Sequence, residues 1–379
     1  MEMRPVSAGL EGVIAAETIT SEVDGEKGEL IIAGFPVEKL AGLATFEEVT
    51  YLLWNDRLPN AAQLTAFQDS LARYREIPRI IYDVLKEAAT QNVPPMDALR
   101  MGASMLSLDS PAEDLDPRGQ AISVVARFPT IVAAYWRMMQ RFDPIAPRAD
   151  LSHAANYLYM LFGEEPNEDT VRGLETYLNT VVDHGINAST FAARVIIATQ
   201  SDFVSAITGA IGALKGPLHG GAPGPALDMV FEIAHPANAE TYLRGKLERG
   251  ERLMGFGHRI YKVRDPRAEV LCEAAKKMFD KTGDRSLYEL ATEVEKTALR
   301  LLAEYKPGRR LSTNVEFYTA LLLHGLGFPG GLFTPTFAIG RVSGWLAHCF
   351  EQQLVGRIIR PQSLYIGERN REWVLLDDR

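Results

Sequence analysis

The sequence predicts a mainly α protein with a short β-hairpin near its N-terminus. Three observations carry this reading: apolar residues recurring at helical spacing, short Pro/Gly/Asp connections between those segments, and one stretch with β-branched residues on both sides of a polar turn. That stretch, residues 12–34, reads "GVIAAETITSEVDGEKGELIIAG", with "DGEKGE" as the turn. Helix signals then dominate. Thr45 and Glu48 form a capping-box pattern before "FEEVTYLLW", and Asn60 is placed to cap "AAQLTAFQDSLARYRE". Further amphipathic helices are expected over residues 78–89, 95–108, 152–163, 170–183, 268–279 and 287–305.

Composition narrows the class. With 379 residues, 46% apolar and 23% charged, the chain has material for two or three domains and a large core. The opening "MEMRPVSAGLEG" lacks a basic start followed by an apolar run, and no stretch approaches ~20 apolar residues. The expectation is therefore a cytoplasmic protein with no membrane association. The two cysteines, Cys272 and Cys349, lie in apolar helical patterns and read as core residues. A net charge of −9 argues against nucleic acid as a partner. A small anionic ligand would need arginines gathered locally, against the sign of the whole chain.

Two Gly/Pro breaks punctuate the second half: "LKGPLHGGAPG" at 214–224 and "HGLGFPGGLFTP" at 324–335. The charge-rich run between them reads as a smaller domain inserted into a larger one. The second break contains Gly325-x-Gly327-x-x-Gly330, a dinucleotide-type spacing. It follows a helical pattern rather than a strand and contains Pro329, so a helix–helix turn is the better reading. There is no phosphate-binding GxxxxGK[ST] and no GxSxG of a serine hydrolase.

None of the seven histidines has zinc-site spacing. His153, His235 and His324 read as structural. His184 in "VVDHGINASTFAARV", His219 in "GPLHGGAPG" and His258 in "MGFGHRIYKVRDPRAE" sit in richer settings, beside glycines that let a ligand approach closely. Arg259, Lys262, Arg264 and Arg267 follow His258; Arg309, Arg310, Arg341 and Arg360 come later. Most such cations are solvated surface charges, but Arg341 lies within the apolar "FAIGRVSGWLAH" and there must meet a carboxylate of the protein or of a ligand. Glu316, in "STNVEFYTA", is either a helix-dipole partner or a base in a dry pocket.

Taken together these motifs resemble the citrate synthases of the shorter bacterial and archaeal kind, including 2-methylcitrate synthases. "DHGINASTFAARV", "GPLHGGA", "GFGHRIYKVRDPRAE", "NVEFYTALLLHGLGFP", "FTPTFAIGRVSGWLAHCFEQ" and "RIIRPQS" occur in the family's order, and the likeness covers nearly the whole chain. The resemblance implies a helical homodimer with residues 1–217 plus 323–379 as the large domain, 218–322 as the small one, and the active site in the cleft between them. The implied reaction joins acetyl-CoA to oxaloacetate and hydrolyses the thioester to citrate and CoA, without metal or cofactor.

The same resemblance implies the roles. His219 donates to the thioester carbonyl as a neutral imidazole near a helix N-terminus, Glu316 takes the α-proton, and His258 polarises the ketone of oxaloacetate. His184, Arg267 and Arg341 bind oxaloacetate together with Arg360 of the partner subunit. Arg259, Lys262 and Arg310 face the CoA phosphates. Three positions depart from the family pattern: Glu316 stands where Asp is usual, "HGIN" replaces "HE(L/M)N", and Gln362 stands where a basic residue is frequent. The alternatives are 2-methylcitrate synthase, with propionyl-CoA as donor, and a catalytically silent helical dimer that binds CoA. Lacking the extra N-terminal domain of hexameric relatives, the chain is expected to form a dimer without NADH control.

Overall fold

A computed structural model describes residues 7–108, 116–220, 223–258 and 260–379. Its described residues form sixteen α-helices, a few 3-10 turns and one three-stranded antiparallel sheet. The hairpin forms where it is expected. Strand β1 (Ser21–Asp24) pairs with β2 (Glu29–Ile32) in the register Ser21↔Ile32 to Asp24↔Glu29, and a third strand, β3 (Phe35–Pro36), extends the sheet beyond the sequence reading. Leu30 and Ile32 point inward and are fully buried, as the two-residue period of a strand requires.

The expected caps are present. Thr45 and Glu48 make the reciprocal capping box of Phe46–Asn55, and Asn60 with Gln63 makes that of Ala61–Arg73. The sequence reading does not single out Pro117–Met139, whose residues from Val124 to Tyr135 are buried on every side. A helix apolar all round has no periodic stripe to detect, and Pro129 inside it looks like a breaker.

Phe333–Val355 is the other long buried helix. It packs on Phe46–Asn55, Pro117–Met139, Glu168–Val181, Ala188–Ile197 and Phe203–Leu214. Two glycines permit its closest approach. A Cβ on Gly340 would stand 2.9 Å from the Leu178 carbonyl oxygen, and one on Gly344 only 2.2 Å from that of Val182. The helix thus lies against the backbone leading to His184. Between the two Gly/Pro breaks, the helices Pro223–Ile233, Ala239–Glu248, Pro266–Thr282, Ser286–Tyr305 and Val315–Gly325 pack largely on one another, with Pro266–Thr282 also resting on Glu168–Val181. The Gly325–Gly330 stretch is a turn between two helices.

Both cysteines are free thiols, Cys349 buried and Cys272 partly so. Among the described residues no helix is long and apolar enough to cross a membrane. Residues 356–379 leave the body as an extended, exposed tail carrying Arg360.

Candidate active site

His219 lies in the turn after Phe203–Leu214, against the first turn of Ala188–Ile197. Helix N-termini leave backbone N–H groups without intrahelical partners. One of these, the N–H of Ser189, donates to His219 Nε2 at 3.3 Å, and Ser189 Oγ lies 2.8 Å from the same nitrogen. Trp345 Nε1 in turn donates to Ser189 Oγ at 3.0 Å. A backbone N–H only donates, so Nε2 must carry the lone pair and the ring proton sits on Nδ1. Burial and the nearby Arg341 charge lower His219 to about 4, and the positive end of the helix acts in the same direction. The imidazole is neutral at pH 7 and offers Nδ1–H.

His258 has the opposite tautomer. Its Nδ1 accepts from the N–H groups of Ile260 (3.1 Å) and Tyr261 (3.2 Å), leaving Nε2–H as the donor. Burial and Arg267 lower it to about 4. His184 stands beside it, ring centroids 5.7 Å apart, with Nε2 3.1 Å from the Tyr261 hydroxyl. Burial holds His184 well below its ordinary value, with Arg267, Arg341 and His258 adding to the fall.

Arg267 and Arg341 are both almost fully buried. Asp265 grips Arg267 through Nε (3.0 Å) and a terminal nitrogen (2.8 Å). Arg341 donates from Nε to the Val181 carbonyl at 2.5 Å, and its guanidinium lies over the Phe337 ring. Burial lowers Arg341 to about 10, Asp183 opposing and Arg267 adding to the fall, so it remains a cation at neutral pH. Two buried cations beside three neutral imidazoles form the local positive field that a chain of net charge −9 needs to hold a small dianion.

Glu316 occupies the first turn of Val315–Gly325, its N–H donating to the Asn314 cap at 3.1 Å. Asn314 also ties this segment to the His258 loop, donating to the Gly257 carbonyl at 2.9 Å. Burial raises the Glu316 carboxyl to about 7 against the pull of Arg267, with Asp265 adding to the rise. A carboxylate at that value is a far better base than a solvated one.

Behind these groups lies a buried polar layer that the sequence reading missed. His348 Nε2 lies 3.2 Å from Asp183, the neighbour of His184, and its Nδ1 lies 2.9 Å from a terminal nitrogen of Arg194 and 3.4 Å from Glu351. Burial disfavours the imidazolium, yet Asp183 and Glu351 more than offset it and push His348 up to about 9. Arg194 points the other way: a guanidinium has no lone pair to accept with, so its donation to Nδ1 requires the neutral ring with Nε2–H on Asp183. We assign the neutral form, because that contact is short and specific. Arg341, Trp345 and His348 thus follow one another along one face of Phe333–Val355 and reach Val181, Ser189 and Asp183. The only hint in the sequence was the helical spacing of three polar or amphipathic residues inside an apolar run.

The cluster contains His184, His219, His258, Arg267, Glu316 and Arg341. Lys262 is exposed close to His258, Arg310 is exposed beside Glu26 at 3.7 Å, and Arg360 stands on the exposed tail outside the cluster. Arg259 lies outside the described residues. A surface groove of about 1080 Å³ lined by Glu76, Tyr82, Lys86, Met138 and Phe142 holds none of these groups.

Comparison with known proteins gives the family. The family profile "Citrate synthase, C-terminal domain" matches residues 9–362. The chain belongs to the citrate synthase family. Citrate synthase 2 of Bacillus subtilis (strain 168) is 42% identical over 375 residues, covering 98% of each chain. A relative named 2-methylcitrate synthase, from Mycobacterium tuberculosis (strain H37Rv), is 38% identical over 377 residues, covering 98% of this chain and 93% of its own. The structure of citrate synthase from Thermoplasma acidophilum in ternary complex with carboxymethyl coenzyme A and oxaloacetate superposes with a TM-score of 0.87 at 30% identity, covering both chains completely.

Proposed function

We infer that this citrate synthase family member condenses acetyl-CoA with oxaloacetate and hydrolyses the resulting thioester to citrate and CoA. The observation that carries this reading is Glu316 near pKa 7 in the same cluster as two neutral imidazoles whose free N–H groups are set by opposite tautomers. The reaction needs one base and two donors. Glu316 takes the α-proton of the acetyl group while His219 Nδ1–H stabilises the oxygen on which negative charge develops. The nucleophilic carbon then bonds to the ketone carbon of oxaloacetate, and His258 Nε2–H stabilises the oxygen that becomes the new hydroxyl. Arg267, Arg341 and His184 hold the two carboxylates, with Arg360 supplied by a second copy of the chain. Water finally cleaves the thioester and releases the CoA thiol.

The same reading divides the chain into a large domain, 1–217 plus 323–379, and a small one, 218–322, with the site in the cleft between them. Lys262 and Arg310 are assigned to CoA phosphates, together with Arg259. Propionyl-CoA is the second reading for the acyl donor, supported by relatives that carry the 2-methylcitrate synthase name. One methylene in a pocket discriminates by only ~1–3 kcal/mol, so both donors belong in one assay. Release of free CoA thiol is measured with acetyl-CoA and with propionyl-CoA, each with and without oxaloacetate. Oxaloacetate-dependent release is expected, and the ratio of kcat/KM values names the donor. Folded protein that binds CoA but releases no thiol with either donor would instead be the silent CoA-binding dimer.

A further inference from the structure

The N-terminal hairpin contacts the residues that flank both histidines assigned to oxaloacetate in the reading above. Ser21, the first residue of β1, donates from Oγ to Asp183 Oδ2 at 2.5 Å and accepts from the Gly185 N–H at 2.8 Å. One hydroxyl therefore brackets His184 from both sides. At the other end of β1, the Gly25 carbonyl accepts from the Lys262 N–H at 2.8 Å. A Cβ at Gly25 would stand 2.4 Å from the Ile260 carbonyl oxygen, so the turn is pressed onto the loop whose Ile260 and Tyr261 N–H groups hold His258. Gly28, at φ +73, lies as close to Val263: a Cβ there would meet its Cγ2 at 2.6 Å. The Tyr261 hydroxyl on His184 closes the circuit.

We propose that this hairpin is a strap that sets the separation of His184 and His258, with Ser21 and Gly25 as positioning residues for the keto-acid half of the site. A strand is a stiff spacer, rising roughly 3.3 Å per residue, and β1 is paired with β2 along its whole length. Its entry is anchored as well. The Thr18 and Thr20 hydroxyls and the Ile19 N–H all donate to Glu351 Oε1 at 2.9–3.0 Å, and Glu351 is itself held by Arg194 at 2.7 Å. The strap thus refers both histidines to the helix that carries Arg341. Two donors serving one four-carbon diacid must keep a fixed spacing, and a misplacement of about 1 Å can cost about 10²-fold.

The proposal rests on the oxaloacetate assignment and is tested in the full chain with Ser21→Ala, Ser21→Thr and Gly25→Ala. Expected for Ser21→Ala is a KM for oxaloacetate raised about tenfold, with the KM for acetyl-CoA within about twofold of wild type. Ser21→Thr, which keeps the hydroxyl, recovers most of that loss, and Gly25→Ala reproduces the defect from the other end of the strand. An oxaloacetate KM unmoved in Ser21→Ala, or equal in the Ala and Thr variants, overturns the strap. Should Ser21→Ala not fold, Gly25→Ala decides alone: a selective rise in oxaloacetate KM supports the strap, and an unmoved or unselective KM overturns it. A wild type without oxaloacetate-dependent thiol release removes the reaction but not the strap. The test is then the ring signals of His184 and His258 by NMR: displacement of both by Gly25→Ala supports the strap, and unmoved signals sink it.

Discussion

Glu316 shows how much a single position draws from its surroundings. Its neighbours in sequence, Val315 and Phe317, suggest a dry pocket, but a value near 7 follows from burial opposed by Arg267. The sign is definite. A base works only when deprotonated, so kcat/KM for acetyl-CoA should fall about tenfold per unit as pH drops below about 7. A profile flat from about pH 5.5 to about 7.5 would separate Glu316 from the rate. Glu316→Gln should lower kcat by at least about 10²-fold while the protein still binds oxaloacetate, measured by calorimetry. At the same scale, the His219 and His258 tautomers were not readable from flanking glycines, because backbone donors from Ser189, Ile260 and Tyr261 decide them.

Among elements, Phe333–Val355 does the most to align the site. Its glycines let it lie on residues 178–182, and its polar face then reaches Val181, Asp183 and Ser189. Gly344→Ala forces a methyl against the Val182 carbonyl and should lose about 1–3 kcal/mol in urea unfolding, because close-packed interiors yield little. The same variant should raise the KM for oxaloacetate, since His184 and Arg341 are both referred to that contact. Stability within about 0.5 kcal/mol of wild type would mean the helix simply shifts. The sequence made the caps of Phe46–Asn55 and Ala61–Arg73 legible, since a cap is a local motif. It left Pro117–Met139 illegible, because burial on every side erases the stripe that periodicity detects.

For the molecule as a whole, the C-terminal tail leaves a series of apolar side chains uncovered. Leu364, Tyr365, Ile366, Trp373, Leu375 and Leu376 are exposed on a single copy, beyond Arg360 on the same tail. Apolar surface of that extent favours burial against another chain. If Arg360 serves the other copy's site, Arg360→Gln and Glu316→Gln should each be inactive as homodimers. Unfolding and refolding them together should restore about a quarter of wild-type activity, because half of randomly paired dimers are mixed and each holds one intact site. Mixed dimers verified by mass spectrometry but without activity would place Arg360 in its own chain's site, and an active Arg360→Gln homodimer would place it outside catalysis.

Local chemistry in the sequence determined the helix caps, the hairpin and its turn, the helix–helix turn at Gly325–Gly330, and the residue types able to serve as base, donor and carboxylate clamp. These depend on neighbours a few residues away, which is the range over which hydrogen-bonded turns and strand pairing act. Only the tertiary structure decided which imidazole nitrogen bears the proton, how far Glu316 is raised, and that Ser21, Ser189, Tyr261, Trp345 and His348 stand behind the clustered histidines and Arg341. Trp345 and Ser189 are 156 positions apart and Ser21 and Asp183 are 162 apart. Contacts at that separation, and the low dielectric around them, exist only once the chain has packed.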